Sequence, residues 1–368
     1  MDLSKLKVAI VCDWLTGPGG AERVVLELHN LFPDAPIYTS QYDPKRAIWF
    51  NGLDIRTGWL QKLPSGLKKF LPVFRALYFS RLDLSEFDLI ISSSGAEAKY
   101  VKRRLSSTHI AYIHAPTHYY WSRYDEYLKN PGFGRFDWLA RWALKILVGP
   151  MRKWDYRAAQ RADKIIANST HTQGAIKQYY HRDSEVVFPP VNLDRFKSLT
   201  TNHKRSGLVC VSRLTPYKRI DLAVLACNDL KVPLAVLGGG PELKRLKAMA
   251  ENNIAFIENP TDSDVNQALF TAKGFIFPGL DDFGIAPVEA LSAGVPVIAF
   301  RGGGALDYID DQKNGVFFGT QSVASLKQAI NQFFKKSYSP TAVKKSAEKF
   351  SEASFQRGVV DVIKNTLK

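Results

Sequence analysis

Arg213 and Lys218 stand in the stretch Leu208-Val209-Cys210-Val211-Ser212-Arg213-Leu214-Thr215-Pro216-Tyr217-Lys218-Arg219. A short apolar run that gives way at once to a polar turn reads as a strand delivering a loop at its carboxyl end. Two cations on such a loop can grip a diphosphate and stabilise its charge as a bond to it breaks. A merely solvated basic loop would carry the same residue types, but the strand-end position favours the anion site.

A second stretch, Pro278-Gly279-Leu280-Asp281-Asp282-Phe283-Gly284-Ile285-Ala286-Pro287-Val288-Glu289-Ala290-Leu291, is more specific. Pro287 suits the first turn of a helix. Backbone N–H groups of Phe283, Gly284, Ile285 and Ala286 are then offered at a helix start, where anions bind. Glu289, one turn further in, can accept hydrogen bonds from vicinal hydroxyls. Ordinary acidic capping accounts for the aspartates but leaves the Gly-Ile-Ala-Pro spacing unexplained.

Other candidates are weaker one by one. His114 ends the run Ile110-Ala111-Tyr112-Ile113 and precedes Ala115-Pro116-Thr117-His118-Tyr119-Tyr120-Trp121. A lone histidine is commonly structural, but a strand end beside an aromatic loop is a setting for carbohydrate contact. The turn Gly17-Pro18-Gly19-Gly20 and the triplet Gly238-Gly239-Gly240 each follow an apolar run. Either admits a close ligand or simply makes a turn. Asp262-Ser263-Asp264 spells a metal-site pattern but sits before a helical stretch and reads as helix capping, so no metal is expected. HExxH, EF-hand and GxSxG patterns are absent from the sequence.

These loops need strands to carry them. Val8-Ala9-Ile10-Val11 opens a series of short apolar runs alternating with amphipathic helices, continued at residues 88–92, 110–113 and 164–167. The second half repeats the style at 208–211, 234–237, 254–257, 274–277 and 297–300. Such alternation marks buried parallel strands in α/β domains. The series restarts after Val186-Val187-Phe188-Pro189-Pro190-Val191, where two prolines stiffen an extended link. The expected organisation is 1–187, 188–341 and a helical tail over 342–368 that packs back on the first domain. Two doubly wound domains then face each other across a cleft, and ligands bind at the strands' carboxyl ends.

Composition sets the outer limits. The 368 residues are 45% hydrophobic and 23% charged, which excludes a largely disordered chain and suits two domains. The three cysteines, Cys12, Cys210 and Cys227, lack CxxC spacing and fit a reducing compartment. A net charge of +15 calls for an anionic partner: nucleic acid, an acidic membrane or phosphorylated substrates. No recognition-helix, RRM or OB signature supports nucleic acid. No signal-peptide core and no membrane-spanning run is present, so a cytoplasmic location is expected.

Taken in order, the motifs resemble the family 4 GT-B retaining glycosyltransferases. The resemblance is carried by Gly19-Gly20-Ala21-Glu22-Arg23, Tyr112-Ile113-His114-Ala115-Pro116, Asn168-Ser169, Pro189-Pro190-Val191-Asn192, Ser212-Arg213-Leu214 with Lys218-Arg219, and Phe283 to Ala290. Asp13-Trp14-Leu15 before the glycines, and Tyr120-Trp121 after the His-x-Pro, look most like the GDP-mannose-dependent mannosyltransferase branch. The resemblance implies two Rossmann-like domains and transfer of a hexose, mannose favoured, from a nucleoside diphosphate sugar to a glycan or lipid-linked hydroxyl. It implies no other cofactor. Arg213 and Lys218 would hold the diphosphate, Glu289 the ribose, and Asp281 and His114 the sugar. Gly19, Gly20, Ser212, Gly239, Phe283, Gly284, Ile285 and Ala286 would line the donor. The family usually carries two glutamates where this chain has Asp281 and Glu289. Aspartate keeps the carboxylate and loses one methylene of reach. The alternatives are another double-Rossmann enzyme, such as an epimerase, and a non-catalytic basic anion-binding protein.

Two stretches of the first half mix cations with large apolar residues. Arg56 to Arg81 carries Arg56, Lys62, Lys68, Lys69, Arg75 and Arg81 among Trp59, Leu60, Phe70, Phe74 and Phe79, with no acidic residue. Arg135 to Arg157 carries Trp138, Trp142, Ile146, Leu147 and Trp154 among six basic residues. This composition suits peripheral association with the cytoplasmic face of an anionic membrane. Pro64 and Pro72 predict short helical pieces in the first stretch. Core packing with solvated cations is the competing outcome.

Overall fold

The computed structural model describes residues 3–63, 72–129, 131–132, 134–196 and 205–368. It divides into two compact units, residues 1–190 with 355–368, and residues 191–354.

The apolar runs of the first unit become parallel strands: β1 (Val8–Cys12), β2 (Ile37–Thr39), β3 (Ile55–Thr57), β4 (Leu89–Ser94), β5 (Thr108–Ile113), β6 (Lys164–Ala167) and β7 (Glu185–Val186). Their order is β3-β2-β1-β4-β5-β6-β7, so the order reverses between β1 and β4. The helices are α1 (Gly20–Leu31), α2 (Pro72–Ser80), α3 (Tyr124–Lys129), α4 (Asp137–Arg161) and α5 (Thr170–Tyr180). β1 is buried throughout, which is why its run shows no alternation. Val8, Ile10 and Cys12 join one cluster with α1 side chains, whereas Ala9 and Val11 join another with Ala76, Phe79, Met151 and Ala158. α2 and α4 therefore share one face of this sheet.

The second unit repeats the plan with β8 (Ser206–Val211), β9 (Leu234–Leu237), β10 (Ile254–Ile257), β11 (Ala272–Phe277), β12 (Val297–Phe300) and β13 (Gly315–Phe318), ordered β10-β9-β8-β11-β12-β13. Its helices are α6 (Ile220–Leu230), α7 (Leu243–Met249), α8 (Asp262–Thr271), α9 (Ile285–Ser292), α10 (Ala305–Tyr308), α11 (Val323–Phe334) and α12 (Pro340–Ser346); α13 (Glu352–Thr366) follows. Every strand pairing within both sheets is parallel. The two-domain α/β class follows from these two doubly wound sheets. Cys12, Cys210 and Cys227 are buried free thiols.

The units part at Pro190/Val191, inside the Val186–Val191 link and three residues past 187; Val187 stays with the first unit, its N–H donating to the Ala167 carbonyl (3.0 Å) and its carbonyl accepting from Tyr112 Oη (2.9 Å). The tail does not act as one segment. α12 stays with the second unit, where Val343 is buried and Asn314 Nδ2 bonds Ser346 Oγ at 2.9 Å. Only residues from Phe355 on pack into the first unit, burying Phe355, Val359, Val362 and Ile363.

The basic stretches also divide. Pro64, Leu67, Lys68, Lys69, Phe70 and Leu71 lie outside the described residues, as does the Arg135 side chain. Leu60, Tyr78 and Phe79 are core, and Arg75 is a buried partner of Glu97 rather than a solvated cation. The second stretch is one helix, α4, that continues through Pro150.

Candidate active site

In the second unit the loops leaving β8 and β11 meet where the strand order reverses, the ligand position of doubly wound sheets. The β8 loop is fixed by backbone bonds from Ser212 N to Leu237 O (3.0 Å) and Leu214 N to Gly239 O (2.9 Å). A 3-10 turn, Pro216–Lys218, then leads into α6. The glycine triplet makes this contact possible. A Cβ on Gly238 (φ +137°) would lie 1.9 Å from the Ser212 carbonyl oxygen, and one on Gly240 (φ +155°) 2.4 Å from that of Leu214. Gly239 meets nothing nearer than 3.6 Å. Two of the three glycines thus serve loop against loop.

Arg213 is exposed, and among the described residues no carboxylate pairs with it. Lys218 is different: its ammonium is paired with the Asp281 carboxylate, both side chains largely buried. Gly279 seats the β11 loop on this turn, since a Cβ there would meet Lys218 Cα at 2.8 Å. Two glycines that the sequence reading passed over hold the far side. A Cβ on Gly303 would lie 2.2 Å from the Asp281 carbonyl oxygen, and one on Gly304 2.3 Å from Phe283 Cα. The signal was available: Gly302-Gly303-Gly304 follows β12 directly.

Gly284 is the N-cap of α9 with φ +90°, a conformation that favours glycine. Gly284, Ile285 and Ala286 stand at the helix start, where N–H groups have no intrahelical acceptor. Pro287 occupies the third helical position, where its missing N–H costs no helical bond. Glu289 is 7% exposed, with Oε1 3.7 Å from Arg195 Nη1. Arg195 also donates to Asn266 Oδ1 (2.6 Å) and the Asp262 carbonyl (2.9 Å), so it ties α8 to α9. Beside Gly284 lies the buried Tyr308 hydroxyl, 3.1 Å from where a Cβ would stand. Burial, with the charges of Asp281 and Asp307, pushes that phenol well above its ordinary range. No local signal marks Arg195 or Tyr308, because both act through long-range packing. Asp264 accepts from Thr261 N–H at 2.8 Å in a capping box, the role read for it.

In the first unit the equivalent strand ends belong to β1, β4 and β5. Asp13, after β1, accepts N–H bonds from Gly95 (2.7 Å), Ala96 (2.9 Å) and Ala98 (2.7 Å), clamping the β4 loop. Burial raises its pKa, against the opposing pull of those N–H groups and of Lys99 and Arg75. His114 follows β5, half-buried, with Nε2 2.8 Å from Ser93 Oγ. The aromatic loop after it is turned inward. The Tyr119 hydroxyl bonds Glu97, and Trp121 Nε1 donates to Asp155 Oδ2 at 2.8 Å. Behind it Lys99 and Asp155 form a fully buried ion pair at 2.8 Å, with Tyr180 Oη 2.6 Å from Asp155 Oδ2. Gly19, the N-cap of α1, is extended (φ −174°), and its close neighbour is the movable Glu22 side chain. Neither demands glycine there.

Comparison with known proteins matches residues 18–195 to the family described as Glycosyltransferase Family 4 and residues 192–357 to that described as Glycosyl transferases group 1. The alpha-1,3/1,6-mannosyltransferase ALG2 of Homo sapiens is 26% identical, over 87% of this chain and 85% of that protein. The GDP-mannose-dependent alpha-(1-6)-phosphatidylinositol monomannoside mannosyltransferase of Mycolicibacterium smegmatis is 32% identical, over 47% of this chain and 53% of that protein. Among solved structures, Anabaena HepE in complex with UDP has a TM-score of 0.71 at 17% identity, covering 98% of this chain and 100% of that one.

Proposed function

The chain belongs to the family 4 glycosyltransferases of the GT-B fold and uses a sugar nucleotide; on that premise we propose that it transfers mannose from GDP-mannose, with retention, to a hydroxyl of a glycan or lipid-linked acceptor. The two mannosyltransferase relatives, one named for GDP-mannose, support that donor. A lipid-linked acceptor would support a peripheral position on the cytoplasmic face of a membrane.

The observation that carries the proposal lies within the second unit. An exposed cation (Arg213), a second cation (Lys218), a helix start and a buried carboxylate (Glu289) all belong to β8, β11 and the segments directly after them. In this reading Arg213 and Lys218 take the diphosphate, the α9 N–H groups add a fixed positive end, and Glu289 accepts from the ribose hydroxyls. The diphosphate replaces Asp281 as the partner of Lys218, and Asp281 turns to the sugar. His114 contacts the transferred sugar. Gly19 and Gly20 allow close approach, a role supported by the absence of any backbone need for glycine at 19.

No residue serves as nucleophile. The bond from the anomeric carbon to the diphosphate oxygen breaks as the acceptor oxygen bonds on the same face. The acceptor proton passes to the leaving phosphate, whose charge the two cations stabilise. No metal takes part. A thermal-shift panel of nucleotide sugars tests the reading. GDP-mannose at a hundredfold excess over its dissociation constant should stabilise the protein by about 2.7 kcal/mol. Stabilisation by another nucleotide sugar and none by GDP-mannose would refute the donor assignment.

A further inference from the structure

The part of α4 before Pro150 presents an apolar outer face. Trp138 (67%), Trp142 (61%) and Ile146 (52%) are exposed, as are Leu139 and Leu147. Spaced by four, the first three form one stripe along the helix. The face turned inward is apolar too: Ala143, Leu144 and Val148 are half-buried and Met151 is buried. This part of α4 is therefore apolar on two faces, of which the inner one is covered and the outer one is not. Large side chains clustered in this way mark a contact surface, unlike single exposed leucines.

Charge identifies the partner. Exposed Arg141, Lys145 and Lys153 border the stripe, and no acidic residue occurs between 138 and 154. Arg141 donates to the carbonyls of Leu128 and Lys129 (both 3.1 Å), which fixes α4 to the end of α3. On the same face of the sheet, beside α2, Trp59 and Phe74 form an exposed edge-on pair at 5.9 Å. Trp favours the boundary between acyl chains and headgroups, and lysine favours anionic headgroups. Among the described residues no helix is long and apolar enough to cross a membrane. We propose that this outer face of α4 docks the protein on an anionic phospholipid surface, with Trp138, Trp142 and Ile146 among the acyl chains and Lys145 and Lys153 against the phosphates.

The purpose of this docking rests on the lipid-linked acceptor reading; its test does not. The full chain is sedimented with vesicles of phosphatidylcholine alone and of phosphatidylcholine with one-third phosphatidylglycerol. Preferential binding to the anionic vesicles is expected. Lys145→Gln with Lys153→Gln should weaken it about thirtyfold, at about 1 kcal/mol for each near-surface cation. Trp138→Ser with Trp142→Ser and Ile146→Ser should abolish binding to both vesicles while leaving the unfolding midpoint and the GDP-mannose thermal shift unchanged. Equal binding to both vesicles, binding to neither, or a triple variant that still binds would overturn the docking. So would a wild-type dimer that the triple variant turns into a monomer without any vesicle binding. Loss of the nucleotide-sugar shift in the wild type would instead strike the transferase reading.

Discussion

Lys99→Met removes one member of a fully buried ion pair and leaves Asp155 charged in the core. Asp155 keeps four neutral donors, Tyr100 Oη (3.0 Å), Thr117 Oγ1 (3.0 Å), Trp121 Nε1 (2.8 Å) and Tyr180 Oη (2.6 Å). They solvate the carboxylate but do not neutralise it. Stranding one charge of a buried pair costs about 3–5 kcal/mol. For a unit of this size each kcal/mol lowers the midpoint by about 2–4 °C, so a fall on the order of 10 °C is expected for the first unit. Differential scanning calorimetry reads it directly. Combining Lys99→Met with Asp155→Asn should cost about 1–3 kcal/mol less than the sum of the single changes, because the stranded charge is gone. Donor affinity, placed in the second unit, should hold in all three variants. A loss below about 1 kcal/mol for Lys99→Met, or strict additivity, would refute the claim that Lys99 compensates a charge buried on Asp155.

Arg213→Ala should cut turnover about 10²–10³-fold with an unchanged unfolding midpoint, since the side chain is exposed and stabilises only developing charge; steady-state assay of nucleotide release checks it. Gly238→Ala should destabilise the second unit by about 1–3 kcal/mol and weaken donor binding, because its Cβ would stand 1.9 Å from the Ser212 carbonyl, whereas Gly239→Ala should fold normally. Urea titration of both variants separates them. His109 is pushed from 6.5 down to about 4 by burial, so the fold prefers its neutral form. Its contribution is whole above pH 6.5 and is lost as pH falls toward 4, about 3 kcal/mol in all; His109→Gln should flatten that slope in unfolding free energy measured across the interval.

Short, mostly apolar runs made several strands legible: β6, β9, β10 and β12 occupy the residues read for them. β2, β3 and β7 were not, since two or three residues cannot display a pattern. The loops holding Arg213, Lys218 and Glu289 were legible from strand ends and glycine spacing. Their cross-bracing was not. Arg195 reaches Glu289 across 94 positions of sequence, and Asp13 clamps a loop more than 80 residues away. Such pairs carry no local signature. The aromatic loop after His114 misled for the same reason, because buried Glu97 and Asp155 draw its polar tips inward.

Retaining mannosyl transfer is read by incubating the protein with GDP-mannose and a polar lipid and oligomannoside extract, then following GDP release and the anomeric proton of the product by NMR. The expected result is GDP release that depends on acceptor, a product one hexose heavier, and an α-anomeric signal matching the donor's configuration. GDP release without any glycosylated product, an inverted anomer, or turnover of a different nucleotide sugar in place of GDP-mannose would contradict it.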